Sequence, residues 1–256
     1  MNISLIIGTV ISIGLVVFGM LNGGEFSYFI DPASLAITLG GTVGVLIAIS
    51  PLSFLKRIPK LLKIALFPPK YNPQKYIDEL VEYAKIARSK GLLALEDGAN
   101  KCEDPFMKQS LMLIVDANDS SKVRSMLEDS LDFMEERHAE GAEFFGKGAS
   151  LCPAFGMLGT LVGLIIMLQN MEGGNLGQAM AIALITTLYG SFFANIIFTP
   201  LEAALKNAHA SEMFCMRIVV EGVMSIAAGS NPRLIQEKLE FMLSKSERKG
   251  DSAAGE

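Results

Sequence analysis

Residues 152–164 read CPAFGMLGTLVGL. A proline, three glycines and a threonine interrupt an otherwise apolar run, and no charge lies between Gly148 and Met171. Buried helices of water-soluble domains seldom stay uncharged that long. About 20 apolar residues cross a hydrocarbon core of ~30 Å, so the stretch reads as part of a membrane span. Three further runs are equally bare of charge: Met1–Gly24, Pro32–Leu55 and Gly173–Leu201. Half of the 256 residues are hydrophobic and 19% are charged, and the charges lie almost wholly outside these four runs. The fold class predicted is all-α: a polytopic membrane protein with four transmembrane helices and a helical cytoplasmic domain. The first run has no basic residue before it and no small-x-small cleavage site, so it reads as a span and not a cleavable signal.

Basic residues in the flanks set the orientation. Lys56, Arg57, Lys60 and Lys63 follow the second run, Lys147 precedes the third, and Lys206 follows the fourth. The short loops NGGEFSYFIDP and EGGNLG carry only Glu25, Asp31 and Glu172. Both termini and the long central segment are therefore placed in the cytoplasm.

Four regions follow. Residues 1–55 hold the first two spans and a short outer loop. Residues 56–146 form a cytoplasmic helical domain. Residues 147–201 hold the third and fourth spans, and 202–256 hold C-terminal cytoplasmic helices. In the second region, RIPKLLKIALF has an apolar stripe with a basic face, as in a helix lying on the inner leaflet. A second amphipathic helix spans Gln74 to Lys90, stopped by Gly91. Asp104-Pro105 opens a third. A fourth begins near Asp119-Ser120 and runs into the third span. The pattern continues past the fourth span from Ala203 to Ile226, Asn231-Pro232 starts a last short helix, and KGDSAAGE reads as disordered.

Small residues line faces of the spans. Gly40, Gly44 and Ala48 recur every four residues in the second. Gly156, Gly159 or Thr160, and Gly163 share a face in the third. Ala179, Ala183, Thr186 or Thr187, Gly190 and Ala194 share one in the fourth. Such faces let helix backbones approach closely in lipid. The hydroxyls among them also suit a polar path. Pro153 reads either as a first-turn residue or as a hinge. Pro200 interrupts a helix that continues beyond it and must bend it. Placed near the cytoplasmic ends of adjacent spans, the two suggest a hinge at one shared depth.

No Asp, Glu, Lys, Arg or His occurs within any span. A proton relay needs a titratable group there. The chain offers hydroxyls, backbone and Asn195 only, so an ion-driven device built from it needs a partner that supplies a carboxylate. His138 and His209 stand alone on charged segments. No nucleophile motif, nucleotide loop or metal cluster is present, so neither an enzyme nor a resident metal or cofactor is predicted. Cys102, Cys152 and Cys215 form no CxxC pair and read as free thiols. The slightly acidic net charge of −5 gives no sign of nucleic-acid binding.

Four stretches carry a resemblance: FIDPASLAITLGGT at the second span, ARSKGLLALED in the central segment, PAFGMLGTLVGLIIML at the third span and AMAIALITTLYGSFFANIIFTP at the fourth. With the four-span pattern they resemble the MotA/PomA stator branch of the MotA/TolQ/ExbB proton channel family. That resemblance implies a stator subunit of the bacterial flagellar motor in the inner membrane. Five copies would ring a dimer of MotB, whose membrane helices carry the missing aspartate. Flow of H+ or Na+ would turn the ring, and cytoplasmic helices would push the rotor protein FliG. The resemblance assigns Thr160, Thr186, Thr187 and Asp31 to the ion path and Pro153 and Pro200 to coupling. It places Arg88 and Glu96, with Lys90 and Asp97 as weaker candidates, at the rotor contact. Gly156, Gly159, Gly163 and Gly190 remain helix-packing positions, and the transported ion stays open between H+ and Na+. Two other readings are an ExbB- or TolQ-like energiser of outer-membrane processes, typically built with three spans, and a membrane scaffold that conducts nothing.

Overall fold

Four helices begin at an Asx-Pro pair, and each does so for the same physical reason. Proline needs no N–H partner in a first turn, and the preceding side chain accepts a hydrogen bond from a free backbone N–H. In the computed structural model, Asp31 caps the N–H of Ser34 at 2.8 Å, Asn72 that of Gln74 at 3.1 Å, Asp104 that of Met107 at 2.9 Å and Asn231 that of Arg233 at 3.1 Å. The structure describes residues 2–116, 119–169 and 176–244. Glu172 with most of its loop, and KGDSAAGE, lie outside the described residues.

All regular structure among the described residues is helical. Among the described residues, four helices are long and apolar enough to cross a membrane: Ile3–Gly23, Phe26–Ile49, Ser120–Gln169 and Leu176–Ala227. The second and fourth are not uniform. The second contains a π-helical turn at Ala36–Gly40 and ends at Ile49, ahead of Pro51. That is short of Leu55, where its uncharged run ends. A separate short helix, Leu52–Leu55, follows.

The chain divides into two compact units. The first comprises Met1–Pro69 and His138–Ala208. Packing thus groups residues differently from the regions read along the sequence. Helix Ile58–Leu66, the RIPKLLKIALF stripe, sits with the spans because Leu61 lies against Gly141 and Arg57 pairs with Glu140 at 3.9 Å. The core at this end joins Leu46, Phe54, Ala65, Phe144, Phe145 and Leu205. No residue of the first span is buried by this chain. Lipid or another subunit must cover it, because its large apolar side chains cannot face water at so many positions.

The second unit comprises Lys70–Arg137 and His209–Glu256. Helices Pro73–Lys90, Pro105–Asp116 and Pro232–Glu240, with parts of Ser120–Gln169 and Thr199–Ala227, enclose a separate core. Ile77, Leu80, Leu111, Leu127, Ile218 and Leu239 are fully buried in it. The helix ends at Gly91 because that residue has φ +86°, a conformation open chiefly to glycine. His138 and His209 are partly exposed. Cys152 and Cys215 are buried thiols, whereas Cys102 is only half-buried.

Candidate functional site

The third and fourth spans meet across glycine. A Cβ added at Gly159 would fall 2.4 Å from the Thr186 side chain, and one at Gly190 would fall 2.7 Å from the Cys152 carbonyl. At Gly163 it would lie 2.9 Å from the Ala179 carbonyl, and at Gly156 3.1 Å from that of Thr186. All four glycines are therefore used within one subunit, against backbone at Gly156, Gly163 and Gly190 and against the Thr186 side chain at Gly159. Gly40 and Gly44 of the second span meet nothing of this chain within 4 Å.

This pairing separates two threonines that are neighbours in sequence. Thr186 is buried, and its hydroxyl donates to the Ala183 carbonyl at 2.9 Å. Thr187 is exposed, and its Oγ1 lies 2.6 Å from Oγ1 of Thr160. Thr160 also lies 3.1 Å from the Gly156 carbonyl and 3.2 Å from that of Ala183. Two hydroxyls and two carbonyls thus share a small volume at an open edge of the helix pair. Neutral oxygens of this kind can replace part of a cation's hydration shell. They cannot take up and release a proton near neutral pH, and no carboxylate occurs along these spans.

The prolines do not lie at one depth. The third span meets the fourth with Cys152 at Gly190 and Gly148 at Phe198, while Gly146 meets Glu202. Pro153 therefore stands level with the Gly190 region and Pro200 with Gly146–Gly148. Those levels differ by about 9 Å at 1.5 Å per residue. Pro153 is also no first-turn residue, because its helix begins far upstream at Ser120. Pro200 does more than bend its helix: a π-helical segment, Phe193–Phe198, precedes it. There the Ala194 carbonyl accepts both the N–H and the hydroxyl of Thr199, the latter at 2.9 Å. The wider turn absorbs the missing proline N–H, as such bulges do.

Asp31 acts first as a cap, since its carboxylate also accepts the Ser34 hydroxyl. Below it Thr38 donates to the Ser34 carbonyl at 2.8 Å and Thr42 to that of Thr38 at 2.7 Å, all three hydroxyls being buried. Tyr189, which the sequence reading passed over, reaches this loop from the fourth span. Its hydroxyl donates to the Phe29 carbonyl at 2.6 Å and accepts the Asp31 N–H at 3.1 Å. The available signal was one tyrosine inside an uncharged span, since such a hydroxyl must find a partner.

In the second unit, Arg88 and Lys90 occupy the last turn of Pro73–Lys90. Glu96 and Asp97 occupy the first turn of helix Leu95–Asn100. Each sign suits the helix end it sits on. All four side chains are exposed, and Gly91 and the 3-10 turn Leu92–Ala94 bring them to one corner. Leu95 and Ala99 anchor the short helix in the core, and the Tyr83 hydroxyl donates to the Gly98 carbonyl at 3.3 Å. Burial pushes that phenol up to about 12, so it stays a donor at neutral pH. The patch is a surface feature on a fixed scaffold.

The pattern of the MotA/TolQ/ExbB proton channel family matches residues 98–218, and that of the Motility protein A N-terminal region matches residues 6–91. Motility protein A of Borreliella burgdorferi is 39% identical over 97% of this chain and 96% of its own. The chain belongs to the MotA/TolQ/ExbB proton channel family. Within it, Chemotaxis protein PomA of Vibrio alginolyticus is 33% identical over 97% of this chain and 98% of its own. The subunit in the flagellar MotAB stator complex from Bacillus subtilis superposes with a TM-score of 0.87 at 29% identity, covering 98% of each chain. The stator branch of the family thus accounts for nearly the whole chain, from the first span to the C-terminal helices.

Proposed function

We propose that this chain is the stator subunit of a bacterial flagellar motor, which with a MotB-like partner forms an H+ or Na+ channel and turns ion flow into torque. The Thr160–Thr187 hydroxyl pair carries the reading. It is a conducting surface for a cation on spans that hold no group able to bind and release a proton. A one-span partner supplies that carboxylate, and a ring of five copies around two such partner helices brings each pair to it in turn. The complex sits in the inner membrane with both termini of this chain in the cytoplasm, a placement supported by its basic flanks. Lipid covers the first span, and the Lys56–Lys63 face of helix Ile58–Leu66 lies along the inner leaflet. Arg88 and Glu96, with Lys90 and Asp97, engage the rotor protein FliG. The ion is cargo; no resident cofactor and no chemical catalysis take part.

The test is motility in a flagellated host lacking its own stator genes, given this chain with its MotB-like partner. Restored swimming is the expected result. Pro153→Leu or Pro200→Leu should abolish it while membrane levels of the protein stay at wild type. Failure of the intact pair to restore swimming, with both proteins inserted and assembled, would overturn the assignment. Varying external sodium at fixed proton-motive force identifies the ion: speed that follows sodium names Na+, and a flat response names H+.

A further inference from the structure

The loop that carries Asp31 is hydrogen-bonded to the fourth span through the side chain of Tyr189. Tyr189 has one hydroxyl hydrogen and uses it on the Phe29 carbonyl at 2.6 Å. The same oxygen accepts the Asp31 N–H at 3.1 Å. The two backbone groups flank the junction between the 3-10 turn Phe26–Phe29 and the helix that Asp31 caps. Neither group has another partner among the turn and cap bonds of the described residues. The Asp31 side chain is committed to Ser34, so rotation about its own bonds is already restricted. What remains adjustable is the backbone position of the loop, and Tyr189 sets it.

We propose that Tyr189 is a positioning residue for ion entry: it holds the Asp31 carboxylate at a fixed place beside the path-lining fourth span. The inference rests on the stator reading, in which Asp31 stands at the outer mouth. A carboxylate held near a mouth raises the local cation concentration, and the gain falls as the charge moves away. Loss of the tie therefore weakens capture of the ion before it weakens the later steps that set the maximal speed. A tyrosine serving only to pack the span would instead change how much complex assembles.

The experiment uses the complete complex in stator-deficient cells. Swimming speed is recorded against external sodium at fixed pH, and against external pH at fixed sodium. The wild type first identifies which ion saturates. If it swims at no concentration, the stator reading fails, and that outcome is distinct from failure of the present proposal. Along the saturating axis, Tyr189→Phe keeps the ring and removes only the hydroxyl. The half-saturating concentration should rise about fivefold, equivalent to about 1 kcal/mol of ion capture. Plateau speed should fall less than about twofold. Asp31→Asn should also raise half-saturation, and Tyr189→Phe added to it should then have little further effect, because both act through one charge. An unchanged half-saturation in Tyr189→Phe would overturn the proposal. So would a loss of plateau speed alone, or full additivity of the two substitutions.

Discussion

Oγ1 of Thr160 and Oγ1 of Thr187 lie 2.6 Å apart, joining the third span to the fourth by their side chains at an edge that this chain leaves open. Thr186, one residue earlier, points into the helix interface instead. One turn of sequence thus divides into a position at the open edge of the helix pair and a packing position.

Thr187→Val should lower swimming speed several-fold without lowering membrane levels, and Thr160→Val should do the same. The double variant should lose less than the product of the two, because the residues share one hydrogen bond. Thr186→Val should spare speed per complex and cost about 1 kcal/mol of stability. Thermal melting of the detergent-solubilised complex, set beside speed corrected for expression, separates the two kinds of effect. A speed loss confined to Thr186→Val would reverse the assignment.

Glycine substitutions should sort by what a Cβ would meet. At Gly190 it would approach the Cys152 backbone, which cannot rotate away, so Gly190→Ala should destabilise by about 1–3 kcal/mol. At Gly177 it meets nothing within 4 Å, and Gly177→Ala should change stability by less than about 0.5 kcal/mol. Melting temperatures in one detergent provide the comparison.

Reversing charge at the exposed corner, Arg88→Glu with Glu96→Lys, should cut swarming strongly while leaving the fold intact, since neither side chain is buried. Lys101→Glu, also exposed but on the next turn of chain, should cost less. Equal swarming by all three strains would remove Arg88 and Glu96 from the rotor contact.

Glu221 predicts an acid limit for the second unit. The Lys238 ammonium, hydrogen-bonded to it, holds its carboxyl below the ordinary value of 4.5, with Arg124 at 3.3 Å adding to the effect and burial opposing it. A depressed folded pKa means that the stabilisation is complete above 4.5 and is lost as pH falls through the folded value. Melting temperature should therefore fall as pH drops from about 5 to about 3. Glu221→Gln should melt lower at neutral pH and show a shallower decline over that range.

Much of the fold was legible because its signals are local. Uncharged runs mark the spans, Asx-Pro pairs mark helix starts, and Gly91 marks a stop. The site was legible in part. The threonines, the small faces and the missing carboxylate could be read directly, since each is a matter of residue type along one segment. The depth of the prolines was misjudged, because Pro153 and Pro200 lie on separate helices and sequence distance to a charged flank does not give their register. The π-helical segments were missed as well: they change hydrogen bonding without changing composition.

By itself the sequence determined that four helices are long and apolar enough to cross the membrane and that no Asp, Glu, Lys, Arg or His lies within their apolar runs. Only the tertiary structure decided that Thr187 faces out and Thr186 faces in, and that Tyr189 fastens the loop of Asp31. Periodicity describes each helix face but does not say which neighbour covers it. Neighbouring residues on a helix point about 100° apart, so the register of one span against another assigns their tasks.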